Sequence, residues 1–173
     1  MKKLALFSGM VIPVWLLLGV LIAGSLYSDY SHVDQAMSEL GAVDAPTHLL
    51  SPFINNFPLG VLFMMFGGAV CAMLPTSRLG RLSGMLIVLH GLGSIGAGVF
   101  ACDPGCAPVE PSRDQVLHNL AGLVMFASLT PANFLWVYLA RSVLRSAPFS
   151  WFSVVCLILS LAVMPMMAAA GSG

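Results

Sequence analysis

Charged side chains are scarce in this sequence: 8% of its 173 residues are Asp, Glu, Lys or Arg, where a soluble domain carries roughly a quarter. A soluble fold with so few charges could not cover its apolar surface, so the composition excludes ordinary soluble enzymes and disordered proteins. An excess of basic residues is also missing, because seven Lys and Arg balance seven Asp and Glu. The sequence therefore excludes a nucleic-acid partner.

Hydrophobic residues make up 58% of the chain and are gathered in long runs. A helix needs about 20 apolar residues to cross a bilayer. The runs predict an all-α integral membrane bundle of about five transmembrane helices, forming one domain over residues 1–173. The predicted spans are residues 4–27, 58–74, 82–100, 115–140 and 149–170. The first run exceeds the core of a secretory signal, so we expect it to be retained.

The charges are divided between the two ends of this predicted bundle. One end carries the basic residues Lys2, Lys3, Arg78, Arg81, Arg141 and Arg145. The other end carries all seven acids, with Arg113 as its one base. Cytoplasmic loops carry the excess of Lys and Arg. We therefore expect a bacterial inner-membrane protein with a cytoplasmic N-terminus, a C-terminus outside after five spans, and periplasmic segments at about 28–57 and 101–114.

The first outer segment carries the signals of a short helix. Ser31 can cap its start, Asp34 can answer three residues later, and Gly41 can end it. This pattern predicts an amphipathic outer helix of about ten residues, resting on the bundle or in the membrane interface through Val33, Met37 and Leu40. Its polar side chains form either a solvated face or the edge of a ligand pocket; they are His32, Asp34, Ser38 and Glu39. Pro46, Pro52 and Pro58 predict an irregular stretch leading into the second span.

The second outer segment contains two cysteines separated by a turn. Pro104 and Gly105 suit the central positions of a tight turn between Cys102 and Cys106. Outside the cytoplasm such a pair favours a disulfide. A metal site is the alternative, but zinc needs four ligands and a second cysteine pair is absent.

His118 lies in the first turn of the fourth predicted span, just after a cap at Ser112. The positive end of the helix dipole disfavours an imidazolium, so we expect His118 to be neutral. A neutral imidazole can act as a base or can bind a divalent metal such as zinc, and Asp103 at the end of the third span could orient it. The alternative is a structural hydrogen bond that holds the loop.

Within the membrane, His90 near the middle of the third span is the most conspicuous polar residue. One cross-helix hydrogen bond would satisfy its neutral ring, and we favour that interpretation. The pairs Gly93/Ala97 and Ser94/Gly98 predict close helix approach, within the bundle or in a homo-oligomer. Gly84 lies so near the end of its span that it carries no packing prediction.

Three stretches together resemble a known family: YSHVDQAMSELGA at residues 30–42, FACDPGC at 100–106 and LHN at 117–119. They are similar to the bacterial multi-pass membrane proteins grouped as domain of unknown function 998. That family typically has six helices and no established activity, so the resemblance implies a truncated or divergent member without the usual sixth helix. It implies Ser38, Glu39, Asp103 and His118 as the family-like polar positions.

These observations support two main hypotheses of function. In the first, an outward site for a lipid or lipid-linked ligand, hydrolase-like in character, uses His118 as base or metal ligand, Asp103 to orient it, and Ser38 or Glu39 to complete it. In the second, the protein is a non-catalytic scaffold, chaperone or regulatory subunit that works with membrane lipids or a membrane protein partner. A transporter is less favoured, because the spans lack acids and bases for a relay.

Overall fold

The computed structural model describes the main chain of residues 2–170 and the side chains of residues 5–163. This part of the chain contains five long α-helices and no strand. The helices are α1 (Lys2–Ser25), α2 (Phe57–Met73), α3 (Arg78–Val99), α4 (Arg113–Ser142) and α5 (Ala147–Ala170). Each corresponds to one of the five predicted spans.

Within the described residues, four helical segments are long and apolar enough to cross a membrane: Ala5–Ser25, Pro52–Met73, Arg78–Val99 and Arg113–Ser142. The fifth, within α5, is apolar over Ala147–Val163. Many of the large apolar side chains on these helices are exposed on the surface of the bundle. This is expected of a membrane protein, because lipid tails rather than water surround these side chains. The all-α membrane bundle predicted from composition is therefore confirmed.

Helix α3 lies at the centre of the bundle, with α2 on one side and α4 on the other. Helix α1 packs mainly on α2, and α5 packs mainly on α4. Glycines make the central contacts close: a Cβ on Gly67 would lie 2.5 Å from the main-chain oxygen of Gly84, and one on Gly91 would lie 2.6 Å from that of Gly60. The small residues of α3 thus pack within the bundle. Gly84 lies in the contact between α2 and α3, which we call the seam between these helices.

The stretch before α2 is helical rather than irregular. Residues Pro52–Asn56 form one turn of π-helix that runs directly into α2, so the second span begins six residues earlier than predicted. Proline is tolerated here because the first helical positions have no hydrogen-bonded N–H to lose. The wider turn presents the carbonyl of Ile54 to Trp15 of α1, whose indole N–H donates to it over 2.7 Å.

The outer amphipathic helix is much shorter than predicted. Only Met37–Gly41 is helical, as a 3-10 turn, and Val33 is 91% exposed while Leu40 is buried. Nearby side chains form hydrogen bonds with main-chain N–H groups that a longer helix would use. Ser31 accepts from the N–H of Asp34 (3.1 Å), and Glu39 accepts from the N–H of Ala36 (2.8 Å). Such competition between side chains and the helix ladder ends helices early.

Candidate functional site

The two polar segments, residues 26–51 and 100–112, meet at one end of the bundle and form what we call the acidic cap. The N–H of Val43 in the first segment donates to the carbonyl of Cys102 in the second over 3.0 Å. Cys102 is fully buried against Ala42 and Ala45, with Tyr27 packed beside them. The cap is therefore a folded unit with a small core of its own.

Cys102 and Cys106 are joined by a disulfide within the cap. The N–H of Cys106 donates to the carbonyl of Asp103 over 2.8 Å, which closes a turn with Pro104 and Gly105 at its centre. Gly105 has φ 68°, the left-handed conformation that this turn position requires and that glycine adopts without strain. The turn therefore brings the two sulfurs together.

Asp103 is a helix-capping residue in this structure. Its carboxylate accepts the N–H of Ser112 over 2.8 Å, at the point where α4 begins. Hydrogen bonds from the side chain and the main chain of Ser112 lower the pKa of the Asp103 carboxyl. Ser112 in turn caps α4 by accepting the N–H of Gln115 over 3.1 Å. Asp103 thus supports the start of α4 rather than a histidine.

His118 is bonded to the main chain of the neighbouring helix. Its Nδ1 lies 2.8 Å from the carbonyl oxygen of Phe100, just past the end of α3. A carbonyl oxygen can only accept, so Nδ1 carries the proton, and in the neutral ring Nε2 holds the lone pair. Among the residues with described side chains, Asp103 is not a hydrogen-bond partner of His118. The structure therefore places both residues at the cap end of the bundle without pairing them.

Glu39 and Ser38 lie in the 3-10 turn of the first segment. Both oxygens of the Glu39 carboxylate are engaged locally, one by the N–H of Ala36 and the other by the side chain of Gln35, each over 2.8 Å. Burial and the nearby charge of Glu39 raise the pKa of Tyr30. Ser38 touches the second segment through its carbonyl, which lies 3.5 Å from the sulfur of Cys102. Neither side chain forms a hydrogen bond with His118.

His32 and Asp34, the predicted ligand-binding pair, point to different neighbours. The ring of His32 packs edge-on against Tyr30, with centroids 5.0 Å apart, and lies over Gly24 of α1, where a Cβ would approach it to 2.5 Å. Asp34 accepts the hydroxyl of Ser31 over 2.6 Å. The two side chains are therefore parts of the turn that joins α1 to the cap.

Gln115 connects the start of α4 to the second segment of the cap, a role that the sequence did not reveal. It is 1% exposed, its Oε1 accepts the N–H of Asp103 over 2.8 Å, and its Nε2 donates to Asn119 and to the carbonyl of Cys106 over 2.8 and 3.3 Å. The spacing of Ser112 and Gln115 is a capping pattern, which was the available signal. That pattern predicts a main-chain contact but not this tertiary one.

Within the bundle, His90 makes one cross-helix hydrogen bond, from Nδ1 to the carbonyl of Met125 in α4 over 2.9 Å. Its ring also packs on Phe63 of α2, with centroids 4.3 Å apart. These are the contacts of a packing histidine that joins three helices. They agree with the structural interpretation that we favoured from the sequence.

A largely apolar cavity of about 520 Å³ lies at the other end of the bundle, away from the acidic cap. Phe66 of α2, Trp136 of α4 and Phe152 of α5 line it, and Leu6 of α1 closes one side. Asn133 of α4 is one of its few polar lining residues. This cavity suits apolar groups rather than a polar reaction.

The side chains that the structure describes do not form a three-ligand metal centre. Over residues 5–163, no three His, Cys, Asp or Glu side chains lie together as metal ligands. The two cysteines of the cap are joined to each other, so neither is a free thiolate. His118 therefore does not belong to a group of three such side chains in this part of the chain, and three is the usual number of protein ligands of a catalytic zinc.

The fold and the cap define a class of protein: a multi-pass helical membrane protein with a folded, disulfide-containing polar cap. The chain belongs to the family described as Protein of unknown function (DUF998), whose model matches residues 10–173. No curated protein and no solved structure matches the chain.

Proposed function

We propose that this protein is a non-catalytic membrane module, a scaffold or assembly subunit, whose acidic cap is a structural element. One observation carries the proposal: the charged and imidazole side chains suggested for catalysis are all bonded to main-chain groups of the cap. Asp103 accepts from Ser112, His118 donates to Phe100, and Glu39 accepts from Ala36. Such bonds fix loops and helix ends, whereas catalysis needs these groups to meet at a substrate.

We further propose that the cap faces the periplasm of a bacterial inner membrane, with the N-terminus in the cytoplasm. The Arg residues at the start of α3, at the end of α4 and in the α4–α5 loop lie at the end opposite the acids of the cap, and this division supports the orientation, since the cytoplasmic side carries the basic excess. The disulfide supports it too, because disulfides persist outside the cytoplasm. A cysteine-labelling reagent that cannot cross membranes tests it: a single cysteine placed at Val109, which is fully exposed, should react in intact spheroplasts. Labelling only after lysis would overturn the orientation.

The test of the non-catalytic role compares His118 of α4 with His48 of the cap, because the ring of each bonds to a main-chain carbonyl of the cap. His48 Nδ1 contacts the carbonyl of Gly41 over 3.0 Å, as His118 contacts that of Phe100 over 2.8 Å. We expect His118→Ala and His48→Ala each to lower thermal stability and to leave the lipids of reconstituted liposomes unchanged, as wild-type protein does. A lipid product made by wild type and His48→Ala, but not by folded His118→Ala, would overturn the proposal.

A second candidate is the hydrolase-like outer site for a lipid or lipid-linked ligand. The observation that favours it is the tautomer of His118: Nδ1–H is held by a carbonyl, which leaves the Nε2 lone pair for a proton or a metal. Metal analysis of chelator-free protein tests it. Roughly one zinc per chain, retained in His48→Ala and lost in His118→Ala, would support this candidate. Protein without metal would remove its metal-assisted form.

A further inference from the structure

The basic end of the bundle holds a second cavity, of about 550 Å³, between α4 and α5. Its wall includes Leu79 at the start of α3, Phe134 and Tyr138 of α4, and Val154 of α5. Of the lining side chains within residues 5–163, that of Arg141 in α4 is the one that carries a charge. The cavity therefore combines a guanidinium with an apolar wall.

Arg141 is held in place from two sides. Its Nε donates to the hydroxyl of Ser150 over 3.2 Å, and its guanidinium carbon lies 6.0 Å from the centre of the Trp151 ring. Ser150 is 2% exposed and is itself anchored, because its hydroxyl donates to the carbonyl of Val137 over 2.7 Å. With Nε occupied, the two terminal NH₂ groups remain available, and their fork matches two oxygens of a phosphate.

Among the residues that the structure describes, no carboxylate balances the charge of Arg141. All seven acids lie at the cap end, before α2 or between the end of α3 and the first turn of α4. Three more arginines flank the same end, namely Arg78, Arg81 and Arg145. The potential around the cavity is therefore positive, which favours an anionic ligand.

The apolar wall leads from Arg141 into the membrane. Phe134, Tyr138 and Arg141 follow at spacings of four and three residues, so they share one face of α4. At 1.5 Å per residue, Phe134 lies about 10 Å deeper than Arg141. Tyr138 lies between Phe134 and Arg141 on this face and is more than half exposed, and so is Trp151 beside the guanidinium, as aromatic residues at a membrane interface are.

We propose that this cavity between α4 and α5 binds an anionic phospholipid, with the phosphate on Arg141 and an acyl chain along Phe134 and Val154. The apolar wall would contribute nothing to a free phosphate ion, and the unbalanced charge favours an anionic over a zwitterionic headgroup. The site is separate from the acidic cap, so it does not depend on the role proposed for the cap.

Native mass spectrometry of the full-length protein tests the site by titration with phosphatidylglycerol or phosphatidylcholine of the same chains. Both lipids offer a phosphate to Arg141, but only phosphatidylcholine brings a quaternary ammonium close to that guanidinium. We therefore expect wild type to retain one phosphatidylglycerol roughly tenfold more tightly than phosphatidylcholine. Arg141→Gln should abolish this preference. Arg145→Gln removes the same charge from the adjoining α4–α5 loop, at a residue that does not line the cavity, and should keep the preference.

Three results would overturn the proposal: no preference in wild type, equal losses in Arg141→Gln and Arg145→Gln, or displacement of the lipid by millimolar inorganic phosphate. If Arg141→Gln does not fold, Phe134→Trp serves instead, because it crowds the exposed apolar wall without touching the guanidinium. We expect this variant to bind phosphatidylglycerol several-fold more weakly. Unchanged binding by folded Phe134→Trp would also contradict the site.

Discussion

The main-chain N–H of Asp103 donates to the side-chain oxygen of Gln115 over 2.8 Å, so the second segment of the acidic cap is fastened to the first turn of α4. The amide of the same Gln115 reaches back to the carbonyl of Cys106 over 3.3 Å. One buried side chain thus satisfies main-chain groups on both sides of the disulfide turn. Buried groups of this kind are costly to leave without partners.

We expect Gln115→Leu to lower the free energy of unfolding by about 1–3 kcal/mol, because leucine fills a similar volume but leaves the N–H of Asp103 without a partner. Unfolding of the purified protein by SDS in mixed micelles measures the change. The control is Val116→Ala, an exposed neighbour that should change stability by less than about 0.5 kcal/mol. Equal losses in both variants would contradict the role of Gln115.

The carboxylate of Asp103 should make the stability of the cap depend on pH. Hydrogen bonds from Ser112 lower the pKa of Asp103 in the folded protein. The ionised carboxylate is therefore more stable in the folded state than in the unfolded state, and it contributes to the stability of the fold. This stabilisation is complete above the unfolded-state pKa of about 4 and is lost as the pH falls through the lower, folded-state pKa. Asp103→Asn should therefore be less stable than wild type at pH 7.

The measurement is the unfolding free energy of wild type and Asp103→Asn from pH 7 to pH 2. The difference between them should shrink below about pH 4. Glu110→Gln is the matched control, because Glu110 lies exposed in the same segment and forms no hydrogen bond among the side chains of residues 5–163. A difference for Asp103→Asn that stays constant over the whole pH range would contradict the capping role.

Much of the fold could be predicted because lipid imposes one simple requirement. A long apolar run must be helical, since the backbone has no other hydrogen-bond partner in the membrane. The same rule says nothing about the π-helical turn at Pro52–Asn56, where prolines and asparagines signal a loop. There, a tertiary contact from the indole of Trp15 to Ile54 accompanies the wider turn.

The candidate site was harder to predict than the helices. Chain order places Asp103 and His118 near each other at two helix ends, but it does not reveal their partners. Both side chains bond to main-chain groups, Ser112 N–H and Phe100 C=O, which every sequence offers. The amphipathic pattern from Ser31 failed for a related reason, because short polar side chains also compete for the backbone.

The disulfide of the cap can be tested by counting thiols. Cys71 and Cys156 are free and lie in α2 and α5, whereas Cys102 and Cys106 are bridged. We expect two reactive thiols in protein denatured without reductant and four after reduction. The loop is short, so loss of the bridge in a Cys102→Ser/Cys106→Ser variant should cost about 2 kcal/mol. Four thiols in unreduced protein would exclude the bridge.

Adjacent glycines of α2 give a direct test of the seam between α2 and α3. A Cβ on Gly67 would lie 2.5 Å from the oxygen of Gly84 and 2.8 Å from the main-chain nitrogen of Val88, so Gly67→Ala must push the two helices apart. We expect it to lower the free energy of unfolding by about 1–3 kcal/mol. Gly68 has no atom within 4 Å of its Cβ position, so Gly68→Ala should be neutral or stabilising by up to about 1 kcal/mol, because alanine favours the helix. Unfolding in mixed micelles measures both variants. A loss at position 68 as large as that at position 67 would show that the helices do not meet at this seam.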